Sequence, residues 1–106
     1  MLLESSSTQF QYDVLANSKS VLVHMGIPAS LTCLALPPPL TALAPAYAEH
    51  LDIVQIDLDE APDLVNRYHI REAPTFLLFH HGALIEAKAG YLNQRTMEAW
   101  LDLRFG

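Results

Sequence analysis

The chain has 106 residues, a formal net charge of −6, and 51% hydrophobic against 17% charged residues; this fits one globular domain spanning residues 1–106 and excludes a disordered chain. Six Lys and Arg against 12 acidic residues offer no basic patch to a phosphate backbone, so nucleic acid is not an expected partner. The single cysteine excludes an internal disulfide and a cysteine-rich zinc site, leaving the thiol as buried filler, a reactive group, or a link to another molecule.

The amino terminus MLLESSSTQF lacks the basic start and apolar stretch of a signal peptide, and no apolar run approaches the roughly 20 residues of a spanning helix. The cytoplasm is the expected compartment, with no membrane partner. SSTQFQYDVLAN (Ser6–Asn17) offers serine caps and apolar Phe10, Val14 and Leu15 at helical spacing, then the polar turn NSKS. VLVHM (Val21–Met25) predicts a short buried strand. PLTALAPAYAEH (Pro39–His50) is Ala-rich and periodic enough for a helix, against which its prolines work.

DIVQIDLD (Asp52–Asp59) alternates Ile53, Gln55 and Asp57 against Val54, Ile56 and Leu58, as a strand does. APDLVNRYH (Ala61–His69) predicts a helix opened by Pro62. TFLLFHHGALIEAKAG (Thr75–Gly90) predicts a hairpin turning at His81 and Gly82, and NQRTMEAWLDLRF (Asn93–Phe105) a closing helix capped by Asn93. Alternating β and α elements followed by a hairpin and a helix give an α/β class with a mixed sheet.

Some candidate chemistry has a plainer reading. His80 and His81 are neighbours on a strand end and cannot easily chelate one ion, so they are read as a hairpin end. DLDEAPD (Asp57–Asp63) lacks the glycine a calcium loop needs and is read as a solvated loop with helix-start acids. Tyr68, Phe76, Phe79 and Trp100 are read as packing aromatics. No metal and no cofactor is expected.

Over nearly its whole length the pattern resembles thioredoxin. VLVHM stands before the active loop, SLTC (Ser30–Cys33) where the family has its CxxC, and LPPPL (Leu36–Leu40) where it has a helix-kinking proline. The most specific piece is HIREAPTFLLFHHG (His69–Gly82), similar to the segment that carries a cis-proline ahead of an apolar strand; Gly90 and an amphipathic last helix follow. The resemblance implies a thioredoxin-like fold, a central mixed β-sheet flanked by helices on both faces, with Pro74 as the cis-proline.

It also exposes what this chain lacks. Ser30 stands in the place of the nucleophilic cysteine and Cys33 in that of the resolving one, while Ala29 replaces a tryptophan, and Leu31 and Thr32 replace Gly and Pro. A serine with no strong base does not attack a disulfide usefully, and one sulfur cannot run a two-electron dithiol cycle. His24 occupies the position of a buried carboxylate beneath the resolving thiol. There it is either a hydrogen-bonded core residue or the partner of Cys33 in a thiolate–imidazolium pair. Pro37, Pro38 and Pro39 remove three donors, so the helix is expected to restart near Pro38 and leave Cys33 on a loop or single turn.

Two functions fit these residues, and both imply a protein client or partner thiol without fixing an oligomeric state. In the preferred one, Ala29, Ser30, Ala73 and Pro74 form a groove that pairs with an extended client segment and needs no sulfur. In the alternative, Cys33 acts as a monothiol, forming a mixed disulfide or a glutathione adduct that an external thiol resolves. The SxxC spacing is also similar, locally, to the Ser/Thr-x-x-Cys of peroxiredoxins.

Overall fold

Val21, Leu22, Val23 and Met25 are all fully buried, because their strand lies at the centre of a five-stranded sheet and is covered on both faces. The computed structural model describes residues 2–27 and 43–105, excluding the side chains of residues 2–5 and 44. The strands are β1 (Leu2–Ser5), β2 (Ser20–Gly26), β3 (Leu51–Asp57), β4 (Thr75–His80) and β5 (Ala83–Ala89); the helices are α1 (Pro62–Arg67) and α2 (Gln94–Phe105). The sheet order is β1-β3-β2-β4-β5. β1 and β2 run parallel to β3, β4 antiparallel to β2, and β5 antiparallel to β4. This is the mixed sheet of an α/β, thioredoxin-like fold.

Alternation along the strands builds two cores. Leu22, Ile53, Phe76 and Leu78 face Met97, Trp100 and Leu101 of α2. Val21, Val23, Val54, Ile56, Leu77 and Phe79 face Phe10, Val14 and Leu64, from the amino-terminal turn and α1. Helical elements therefore cover both faces. Tyr47 Oη donates to Asp102 of α2 at 2.5 Å, and burial, then that bond, pushes the phenol up to about 12.

Local chemistry sets the element ends. Asn93 Oδ1 accepts from the Thr96 N–H at 2.8 Å, capping α2 as expected. His81 and Gly82 turn the hairpin with φ of 49° and 81°, the left-handed pair that matches strand twist in a two-residue loop. A Cβ on Gly82 would stand 2.8 Å from the Leu15 carbonyl oxygen, so this glycine is required both by φ and by space.

Three expectations change. β1 was not anticipated, since four residues with two leucines carry too little periodicity to show a strand. The amino-terminal helix is a single wide turn, Gln11–Leu15, too short for the expected stretch. Of the helix expected over Pro39–His50, the part from Ala44 on is a 3₁₀ turn, Ala44–Tyr47, followed by an irregular turn. Pro45 lacks an N–H and is tolerated at the start of that turn but not within a helix.

Candidate functional site

The ends of β2 and β3 and the start of β4 come together at one edge of the sheet. Gly26 pairs with Asp57 and Met25 with Ile56 and Thr75, which brings the chain leaving β2 at Ile27 beside Ala73 and Pro74. The Ala73–Pro74 peptide bond is cis. Pro74 is buried and Ala73 half-buried. Thr75 Oγ1 donates to the Glu72 carbonyl at 2.7 Å, and the Gly90 N–H donates to the Pro74 carbonyl at 2.8 Å. The approach to β4 is thus held from both sides.

A cavity of about 430 Å³ opens against this edge. Ile27, Leu58, Val65, Ile70 and Ala73 give it apolar walls, and Asp59, Arg71 and Glu72 are among the polar residues around it. The shape follows from the sequence. Asp57 Oδ1 accepts from the Asp59 N–H at 2.9 Å, tightening Leu58–Glu60 into a 3₁₀ turn that sets Leu58 beside α1. The end of α1 then turns through His69 at φ 55°, so that Ile70 folds back under Val65 with its N–H bonded to the Val65 carbonyl at 3.0 Å. Sequence reasoning took Asp57–Asp63 as a solvated loop and missed the pocket; the apolar Leu58, Val65 and Ile70 among acids and polar residues were the available signal.

His24 lies one residue inside this edge, opposite Phe76 of β4 and Gln55 of β3. It is completely buried, and its ring stacks on Phe76 with centroids 5.2 Å apart at 27°. Neither ring nitrogen has a hydrogen-bond partner among the described residues. Burial pushes its pKa down to about 4, so the imidazole is neutral at pH 7 and a weak base. A thiolate–imidazolium pair therefore starts against this burial. His24 has the same parity as Leu22 and stacks on Phe76 on the α2 side, whereas Leu58, Val65 and Ile70 pack on the other. The sheet separates the histidine from the pocket.

Ala29, Ser30, Cys33 and Pro37 to Pro39 lie outside the described residues. Of the residues named from the sequence, the structure brings Ala73 and Pro74 together with the end of β2 and sets His24 beneath, on the opposite face. Among the described residues no three His, Cys, Asp or Glu side chains converge on one point. His80 Nδ1 lies 2.8 Å from Ser20 Oγ and its ring meets that of His81 edge-on at 4.1 Å. Nor is any helix among those residues long and apolar enough to cross a membrane.

The thioredoxin family model matches residues 1–103. A thioredoxin of Acidithiobacillus ferridurans is 37% identical over 95% of this chain and 94% of its own length. Thioredoxin 1 of Synechococcus elongatus is 29% identical, over 88% and 87%, and a thioredoxin of Porphyra purpurea 28%, over 92% and 91%. With the mixed sheet and the matched length together, the chain belongs to the thioredoxin family.

Proposed function

We propose that residues 1–106 act as one thioredoxin-like unit that binds extended segments of client proteins along the groove at Ala73 and Pro74, in a chaperone-like or redox-homeostasis role. Family membership supports a redox-related, thioredoxin-like role, and a single cysteine excludes the dithiol form of it. The observation that carries the reading is the apolar cavity beside Ala73, walled by Ile27, Leu58, Val65 and Ile70. An extended segment laid against the start of β4 has there a place for one apolar side chain, with charged residues at the rim. Ala29 and Ser30, small where the family carries tryptophan and a nucleophile, add neither bulk nor a nucleophilic thiol to such a groove.

The monothiol alternative needs an activated Cys33, and the neutral, buried His24 speaks for the binding reading. We place the protein in the cytoplasm, where a lone thiol stays reduced. The test uses reduced, carboxymethylated lactalbumin, an unfolded protein with blocked thiols, captured on the immobilised chain. Binding is expected to survive Cys33→Ser and to fall at least tenfold in Val65→Lys, which sets a charge at the half-buried wall. Binding lost with Cys33→Ser and untouched by Val65→Lys overturns the groove reading in favour of the thiol.

A further inference from the structure

β5 is the last strand in the sheet order, and its backbone has a definite phase. The Gly90 N–H bonds to the Pro74 carbonyl, and the register continues through Phe76 opposite Lys88 and Leu78 opposite Glu86. In an antiparallel ladder hydrogen-bonded pairs alternate with non-bonded ones, so Lys88 and Glu86 turn their N–H and C=O toward β4. Ala87 and Ala89 turn theirs outward, where no strand among the described residues pairs with them.

Sheet edges are ordinarily blunted by a proline, a charge reaching across the edge, or a bulge. Among the described residues a bulge is present, where Phe79 pairs with Leu84 and Leu78 with Glu86, leaving Ile85 over, and the strand carries the two charges Glu86 and Lys88. The charges are directed elsewhere. Glu86 accepts from Trp100 Nε1 at 2.8 Å and Arg104 at 2.9 Å, and the Lys88 ammonium lies 5.3 Å from the Trp100 ring centre and 3.7 Å from Glu86 of its own chain, an ion pair that a partner's charges would have to share. Three large apolar residues, Leu84, Ile85 and Tyr91, lie on or beside the edge with 39, 42 and 51% of their surface exposed.

The edge is self-complementary. If two β5 strands run antiparallel about a two-fold axis at Ala87, the outward N–H and C=O of Ala87 bond to their own counterparts. Ile85 then faces Ala89 of the partner subunit, and Glu86 faces Lys88 of the partner subunit. The charged pair falls at a non-hydrogen-bonded position, where opposed side chains approach most closely. The same pair forms twice, as an isologous interface requires. We propose that β5 is a homodimer interface, pairing residues 85–89 of two copies antiparallel about Ala87 with reciprocal Glu86–Lys88 contacts and joining their two sheets into one.

The test is sedimentation equilibrium of the full chain from about 10 μM to 1 mM, the weak range appropriate to so short a ladder, at about 0.15 M salt, where repulsion between two chains of charge −6 is screened beyond about 8 Å. A concentration-dependent dimer is expected. Lys88→Glu and Glu86→Lys should each weaken it at least tenfold, and an equimolar mixture of the two variants should recover it as a heterodimer, since every cross-strand pair is again of opposite sign. Where Glu86→Lys costs the fold through its Trp100 and Arg104 bonds, amide exchange of the unaltered chain decides: the Ala87 and Ala89 amides should slow as concentration rises. A monomer up to 1 mM, variants that dimerise like the original chain, failure of the two folded variants to recover a heterodimer on mixing, or amide exchange independent of concentration overturns the proposal. So does an extended peptide that occupies β5 of a chain that stays monomeric.

Discussion

Acidification should destabilise this protein through His24 well before its carboxylates protonate. The unfolded imidazole binds a proton near 6.5, whereas in the folded protein burial lowers that value to about 4. Above pH 6.5 the group is neutral in both states and contributes no pH dependence. As pH falls below 6.5 the unfolded chain takes up the proton and the folded one does not, so stability is lost progressively until about pH 4. The interval corresponds to about 3 kcal/mol at 1.36 kcal/mol per pH unit, and roughly 2 kcal/mol of it is gone by pH 5. Against the few kcal/mol that hold a domain of this size, this is a large fraction.

The assay is urea unfolding at pH 7, 6 and 5 at constant ionic strength, for the unaltered chain and for His24→Leu, a similar volume without ring nitrogens. Each unsatisfied nitrogen also carries a desolvation cost at neutral pH, on the order of 1 kcal/mol. His24→Leu should therefore be the more stable protein at pH 7, and the gap should widen by roughly 2 kcal/mol by pH 5. The carboxylates held below their usual range do not interfere, because their losses lie at lower pH. In Asp52 burial raises the value but the bonds from Asn17 and Lys19 prevail; in Glu86 the Trp100 and Arg104 bonds lower it. Parallel loss of stability in the two proteins between pH 7 and 5 would refute the reasoning.

Gly82→Ala should lower stability by about 1–3 kcal/mol in the same urea assay, because its φ is 81° and its new Cβ meets the Leu15 carbonyl at 2.8 Å; an unchanged midpoint would show that the hairpin shifts freely. Asn93→Ala should lose the bond to the Thr96 N–H and cost about 1 kcal/mol, read by thermal unfolding. Insulin disulfides should not be reduced at a rate approaching an ordinary thioredoxin, since Ser30 cannot begin the exchange; turnover within tenfold of one would contradict this. Iodoacetamide should modify Cys33 slowly at pH 7, and rapid alkylation that His24→Ala slows would restore the monothiol reading.

How far the sequence could be read depended on how much of each interaction is local. The strand at Val21–Met25, the hairpin at His81 and Gly82, and the α2 cap at Asn93 are each written in adjacent residues, and each stands where expected. β1 is a strand only because β3 offers a parallel partner, Leu2 opposite Ile53 and Ser5 opposite Ile56, and a pairing across some fifty residues leaves no mark in a four-residue segment. The pocket was hidden for the same reason. Leu58, Val65 and Ile70 line one cavity with Ile27 and Ala73, yet no helical or strand period connects them.

His24 shows the limit differently, since its position was legible and its chemistry was not. A histidine in an apolar strand predicts either a partner or a cost, and only three dimensions separate the two: the ring is closed in by Phe76, with both nitrogens unmatched among the described residues. A residue that costs stability without holding a structural bond is usually retained for something other than folding. The pH series and the His24→Ala alkylation rate divide that question between them. An acid-sensitive fold with an indifferent Cys33 makes the histidine a burden that the groove reading does not need. A thiol whose reactivity follows the imidazole would mean that the unmatched nitrogens serve Cys33, and the monothiol reading would then outrank the groove.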